Sequence, residues 1–449
     1  MTECNNESIQ FSSLNGKKIQ ADFNGGTITS DAGALLLRQV DKQIGLVNAI
    51  NNCIPDPRDP VFTRHTQQSM LAQRILAIAQ GYEDLNDHQT LRDDPLFQVA
   101  TERAVDPEMP LASTSTLWRL EDRVTRKSMV QIIEAFVNIF IESHKSAPEQ
   151  IILDFDATDD PLHGQQEGRF FHGYYDCYCY LPLYVFCGEQ LLVPYLRPSN
   201  IDGAKHSWAI LKLLVERFRQ VWPEVRIIFR GDGGFCRWRI MRWCENNGVY
   251  YVLGLPKNAA LLREAGDLLF QAKRQYEETG VSQRLLGTVH YGAKTWDRKR
   301  RVIARIQYDH RGSNPRFIVS NLPGSPSELY DELYCKRGEM ENRIKEQQLW
   351  LFADRTSCHD FLPNQFRLIL SSAAYILIER LRHVGLKGTS LSRAQAGTIR
   401  KKLLKIGARV KVSARRVVFH LSTGYPYKSL FCQVFQQLLG KSSTAFGFD

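Results

Sequence analysis

Residues 151–164 read IILDFDATDDPLHG, an apolar run that ends in four carboxylates, Asp154, Asp156, Asp159 and Asp160, within seven positions. The first half has the β-branched and aromatic character of a buried strand. The second half resists burial, because like charges repel and lose hydration. Alternate residues of a strand share a face, so Ile151, Leu153 and Phe155 point one way and Ile152, Asp154 and Asp156 the other. The chain must therefore build a strand whose tip offers acids to water or to a cation. Asp156 stands at that tip, and Asp154 is its rival on the same face.

A second strand of the same kind runs through Val225, Ile227 and Phe229 and ends at Gly231-Asp232-Gly233-Gly234. Glycines there permit a tight turn and the close approach of a ligand. Asp232 is either a turn residue or a second ligand. A long helix is expected from about Ser327 to Asp354. At about 100° per residue, Tyr334, Arg337, Glu341, Lys345 and Gln348 fall within an arc of roughly 80°. Leu329, Leu333, Met340, Ile344 and Leu351 form an apolar stripe beside them. Glu341 thus sits at the margin of the buried face, whereas Glu339 points away. The competing reading of this helix is a surface with Arg337–Glu341 and Glu341–Lys345 pairs at i,i+4.

Around these sites the texture of the chain changes several times. Residues before 150 read as mostly helical after a short extended start, with Thr29, Ser30 and Asp31 as possible caps and a second amphipathic helix stopped near Gly81. The stretch STSTLWRLE, from Ser113, fits either a bundle helix or one that enters a DNA groove. After 150, three strands and then alternating helix and strand describe a mixed α/β sheet. Residues 257–315 loosen into short, basic β segments, with eight basic residues, two acidic ones and Trp296 between Lys294 and Arg316. From Leu381 to Lys441 there are thirteen Lys or Arg and no Asp or Glu, within a net charge of +10. Such an acid-free stretch favours nucleic acid as partner, ahead of an anionic membrane surface.

The ten cysteines form no Cys-x-x-Cys pair and His163, His172 and His206 have no compact ligand spacing, so reduced thiols and ordinary histidines are expected. The apolar segment 368–381 is broken by Ser371, Ser372, Glu379 and Arg380 and is expected to be a core helix. With no leader legible at the start, a cytoplasmic, nucleoid-associated protein with no membrane partner is expected.

Taken together, the three acidic sites resemble those of DDE transposases of bacterial insertion sequences. Asp156-Ala157-Thr158 resembles that family's Asp-x-Thr, Gly231-Asp232-Gly233-Gly234-Phe235 its second aspartate, and Tyr334-x-x-Arg337-x-x-x-Glu341 its Tyr-Arg-Glu signature. The segments TSDAGALLLR, DPRDP and GYEDLNDH resemble one branch of the family. The signature's usual Lys, seven residues after the Glu, is Gln348 here, and Lys345 is the candidate to replace it.

The resemblance implies an RNase H-like catalytic core, a mixed five-stranded sheet with flanking helices, interrupted by a β-rich insertion. The corresponding regions are 1–149 (mainly helical, DNA-binding), 150–256 (first part of the core), 257–315 (insertion), 316–380 (second part, with the Glu helix) and 381–449 (basic). It further implies Asp156, Asp232 and Glu341 as catalytic metal ligands for two Mg2+ ions, replaceable by Mn2+. Tyr334, Arg337 and Lys345 would bind DNA phosphate. Trp296 would stack on a flipped base near the cut, or be a core Trp. The implied activity is cleavage at terminal inverted repeats of double-stranded DNA and joining of the 3′-ends to target DNA, by a homodimer in the synaptic complex. The alternatives are an RNase H-fold nuclease or resolvase without strand transfer, and an inactive DNA-binding repressor. A carboxylate-pair glycosidase accounts for neither the basic tail nor the Tyr-Arg-Glu helix.

Overall fold

A computed structural model describes residues 8–440 and divides the chain into two compact units, one of residues 124–372 and one that joins residues up to 123 with those from 373 onward. The first expected region and the basic last region are therefore parts of one unit. The link is made by Ile28–Thr29, which pairs antiparallel with the strand Ala408–Ser413, and by the buried Asp31, which takes the ammonium of Lys405 at 2.5 Å and the hydroxyl of Tyr82 at 2.8 Å. The helix Gln67–Gln80 of this unit ends at Gly81, as expected, with Gly81 in the left-handed conformation at φ 93°. It is not amphipathic: nearly every residue is buried, and its Arg74 is held by the equally buried Glu121 at 2.7 Å. The ribbon formed by Ala408–Ser413 and Arg416–Leu421 exposes Arg409, Lys411, Arg415 and Arg416.

The other unit is built on one eight-stranded sheet. Its strands are β1 (Gln150–Ala157), β2 (Leu183–Cys187), β3 (Gln190–Tyr195), β4 (Arg226–Gly231), β5 (Tyr250–Leu255), β6 (Gln283–Tyr291), β7 (Arg300–Asp309) and β8 (Gly312–Ser320), in the spatial order β6-β7-β8-β5-β4-β1-β2-β3. β4 runs parallel to β1 and β5, and every other pair is antiparallel. The sheet is wider than the five strands expected. Residues 257–315 supply β6, β7 and the start of β8, which continue the ladder beyond β5. The same segment also contains the helices Ala259–Glu264 and Gly266–Thr279, which the sequence reading missed.

The two faces of the sheet differ. Ile151, Leu153, Phe155, Ile227 and Phe229 point into a large core closed by the helices Arg126–Glu142, Ser207–Val221, Trp238–Asn246 and Gly266–Thr279. The opposite face carries a smaller apolar patch of Ile228, Val252, Ile303 and Ile318, covered by Leu329 and Tyr330. Asp154 and Asp156 belong to this thinly covered face. The expected long helix is continuous in sequence but changes pitch, from a wide π-type stretch Glu328–Tyr334, through a tight 3-10 turn Cys335–Arg337, to an α-helix Gly338–Leu351. The segment Phe361–Gly385 is long and apolar enough to cross a membrane, but 83% of its most apolar window is buried in the protein, which fits the core helix expected. The nine described cysteines are all free thiols.

Candidate active site

The site is assembled by the register of two parallel strands. Gly231 of β4 pairs with Phe155 of β1, so Asp232 and Asp156 leave the sheet side by side, about one strand spacing (~4.8 Å) apart. Beneath them Phe155, Phe229 and Phe235 meet edge to face, with centroids 4.9–6.4 Å apart, and hold both strand tips on the core. Asp232 accepts a hydrogen bond from the amide of Gly234 at 2.9 Å, so it caps its turn and still belongs to the acidic cluster.

The helical segment brings the third acid. Arg337 lies 3.6 Å from Asp156 and donates to Glu341 at 2.5 Å, which ties the helix to the strand tip. The α-helix spacing of Arg337 and Glu341 is retained, although the chain before Arg337 is wound differently. Tyr334 packs beside the apolar patch, where burial raises its phenol and the nearby Arg337 charge opposes the rise. Lys345 is exposed one turn beyond Glu341. Gln348 donates its amide to Asp160 at 3.1 Å and to the Asp159 carbonyl at 3.2 Å. It is a structural tie to a fully buried carboxyl, which burial pushes well above the ordinary range.

Asp154, the rival of Asp156, is withdrawn from the cleft. It is 2% exposed and faces Arg230, which grips it with two donors, Nη2–Oδ2 at 2.7 Å being one, while the third arginine nitrogen reaches the Leu333 carbonyl at 2.5 Å. Trp296 does not join the site. It lies in the β6–β7 turn, at the end of the sheet opposite to Asp156 and Asp232, with Tyr291 and Arg300 against its ring. A base stacked there would be remote from the carboxylates, and the alternative, a packing Trp, is the one the structure adopts.

Electrostatics bind the three acids together. Burial pushes the Asp156 carboxyl up to about 7; Arg337 opposes the rise, and the nearby Asp232 and Glu341 add to it. Arg337 is held charged: burial works against its cation, but Asp156 and Glu341 outweigh that. Because Asp156 titrates above its ordinary 3.8, the folded chain keeps a proton that the unfolded chain releases. The stability this contributes is complete below pH 4 and is lost as pH rises through 7. Metal affinity is expected to run the other way, rising about tenfold per pH unit up to pH 7 and then levelling, since binding must expel that proton. Calorimetric titration of Mn2+ between pH 5.5 and 8.5 measures this, and a flat profile would exclude Asp156 as a ligand.

The family description "Transposase DDE domain group 1" matches residues 11–442. The chain belongs to the DDE transposases. No curated protein matches it. Among solved structures it is similar to the piggyBac transposase in a cryo-EM synaptic complex with hairpin DNA, at 12% identity and a TM-score of 0.42, over 84% of this chain and 80% of that one.

DDE transposase domains use divalent metals, typically Mg2+, and the donors present suit such a hard cation, being carboxylate oxygens. Among the described residues no three acidic, His or Cys side chains are yet close enough to hold an ion. Arg337 is ion-paired to both Asp156 and Glu341. Room at this point in the transposase depends on Gly254 of β5. A Cβ there would stand 2.6 Å from the Tyr334 hydroxyl and 2.8 Å from the Gly233 nitrogen. Gly254→Ala is expected to slow DNA cleavage about a hundredfold, the cost of a shift near 1 Å in a positioned site, and to lower stability by ~1–3 kcal/mol. Single-turnover cleavage and thermal unfolding test the two parts separately.

Proposed function

We propose that this transposase cuts DNA at the two ends of an insertion sequence and joins the freed 3′-hydroxyls to target DNA. The observation that carries the reading is that Asp156 and Asp232 leave two adjacent strand tips side by side, while Arg337 ties Asp156 to Glu341 on the helix. The run β3-β2-β1-β4-β5, a meander followed by two parallel strands, supports an RNase H-like core, with β6, β7 and β8 as its insertion.

Asp156, Asp232 and Glu341 would hold two Mg2+ ions, or Mn2+, which supply Lewis acidity to the entering and leaving oxygens of an in-line displacement. Arg337, once released from Glu341, presents a planar fork suited to a phosphate beside the cut. Tyr334 orients that guanidinium, and Lys345 adds a charge one turn along the same helix. In the first step water adds its oxygen to the phosphorus and the P–O3′ bond breaks. In the second, the 3′-hydroxyl attacks a target phosphodiester and displaces that strand's own 3′-oxygen. The basic ribbon 408–421 and the N-terminal helices bind the terminal repeats, where phosphate contacts give affinity and base-edge contacts give sequence choice. A homodimer would bring two ends together.

The test incubates the purified protein and an Asp232→Ala variant with Mg2+, a DNA carrying the insertion sequence's ends and a second DNA. Cleavage at the ends followed by joining, both lost in the variant, is the expected result. Cleavage without joining would favour a nuclease or resolvase, and end binding without cleavage a repressor.

A further inference from the structure

Beside the acids, the same face of the sheet carries arginines. By the strand registers Arg316 of β8 stands directly opposite Arg305 of β7, and Arg284 of β6 lies two positions along from Leu286, the partner of Arg305. The three arginines line a groove of about 730 Å³ that also takes in Lys257 and begins at Gly233, Gly254 and Arg337, the edge of the active site. No Asp or Glu lines it.

An arginine pair directly across an antiparallel ladder costs stability through repulsion. Arg284 is compensated by the half-exposed Asp331. Arg305 instead donates to the uncharged Gln307, and Arg316 stays exposed. Such a pair is understandable where a polyanion supplies the missing charge. From β5 to β6 the groove crosses three strand spacings, about 14 Å, the length of roughly four nucleotides at the rise of one DNA strand.

We propose that Arg284, Arg305, Arg316 and Lys257 hold the phosphate backbone of the flanking DNA strand, on the far side of the cut from the insertion sequence. This rests on the transposase reading above, in which the basic ribbon and N-terminal helices take the terminal repeats and leave the flank without a holder. The groove begins at Gly233, the neighbour of Asp232, and at Arg337, the partner of Asp156 and Glu341, so a strand lying in it runs on toward the scissile phosphate. Of its three aromatic residues Tyr330 and Phe317 are buried and the half-buried Tyr334 stands at the Arg337 end, so along the arginines the contact is with backbone and is indifferent to flank sequence.

The experiment compares the wild type with Arg305→Gln/Arg316→Gln and with the charge-keeping Arg305→Lys/Arg316→Lys. Binding to end-bearing DNA is measured without divalent metal from 50 to 200 mM salt, with substrates that either extend about ten base pairs beyond the cut or stop at it. On the extended substrate the Gln variant is expected to lose about two units of salt slope, so that across this range the wild type's affinity falls roughly tenfold more than the variant's. On the substrate that stops at the cut the two proteins should bind alike, and the Lys variant should follow the wild type on both. The Gln variant should unfold at the same or a higher temperature, since it loses a repulsion, which a purely structural pair would not do. Equal loss on both substrates, no loss on either, or loss of joining alone, which would place target DNA in the groove, each overturns the proposal. A wild type that binds both substrates no better than unrelated DNA overturns the transposase reading itself.

Discussion

Asp156→Asn is expected to reduce DNA cleavage by about a thousandfold or more, and at the same time to stabilise the metal-free protein above neutral pH. The first effect follows from the loss of a charged ligand, where a few kcal/mol of transition-state stabilisation correspond to three decades in rate. The second follows from burial. Asp156 is only 14% exposed and its carboxyl titrates near 7, so ionising it at pH 8 works against the fold. Asparagine keeps the acceptor for the Ala157 amide, which Asp156 now receives at 3.1 Å, without the charge. A gain on the order of 1–2 kcal/mol at pH 8, shrinking toward pH 4, is expected on denaturant unfolding. Unchanged stability across that range would show that Asp156 carries no such load.

Arg230→Ala is expected to cost roughly 3–5 kcal/mol of stability. The variant leaves Asp154 buried and unpaired and frees the Leu333 carbonyl. Burial already raises the Asp154 carboxyl in spite of the arginine, so without it the acid would take up a proton to remain inside. The paired change Asp154→Leu/Arg230→Met should recover most of the stability, because it removes both charges together. It should not recover full cleavage, since the arginine also anchors Leu333, next to Tyr334 and four residues before Arg337. Denaturant midpoints for the single and double variants, alongside cleavage rates, separate these two roles.

The strand tips were legible because alternation with period two is a local property: Ile151, Leu153 and Phe155 announced the buried face, and Asp156 had to follow on the other. The glycines marked Asp232 and the apolar stripe marked Glu341, but each kept a structural alternative until the Tyr-Arg-Glu resemblance joined the three sites. Other features depend on partners distant in the chain. Asp154 and Arg230 lie 76 positions apart, and nothing near either shows that one neutralises the other. Residues 257–315 read as short, basic β segments, and that they pair onto β5 is a matter of backbone register that no local pattern announces. Arg305 and Arg316, dispersed among apolar residues, gave no sign that a ladder would set them face to face. The pitch of the helical segment 328–351 was also hidden, because the apolar stripe suits an α-helix throughout while Arg230 holds the Leu333 carbonyl of the π-type stretch.

The three acids are mounted differently. Asp156 and Asp232 ride on neighbouring strands whose spacing is fixed by the backbone ladder, whereas Glu341 sits on a helix joined to those strands by side chains such as Arg337. The site therefore resembles a vice with one fixed jaw and one sliding jaw. On the function proposed above, adjustment to a larger cation, or to the change of shape at phosphorus, would fall mainly to Glu341, while the fixed pair would keep the line of attack.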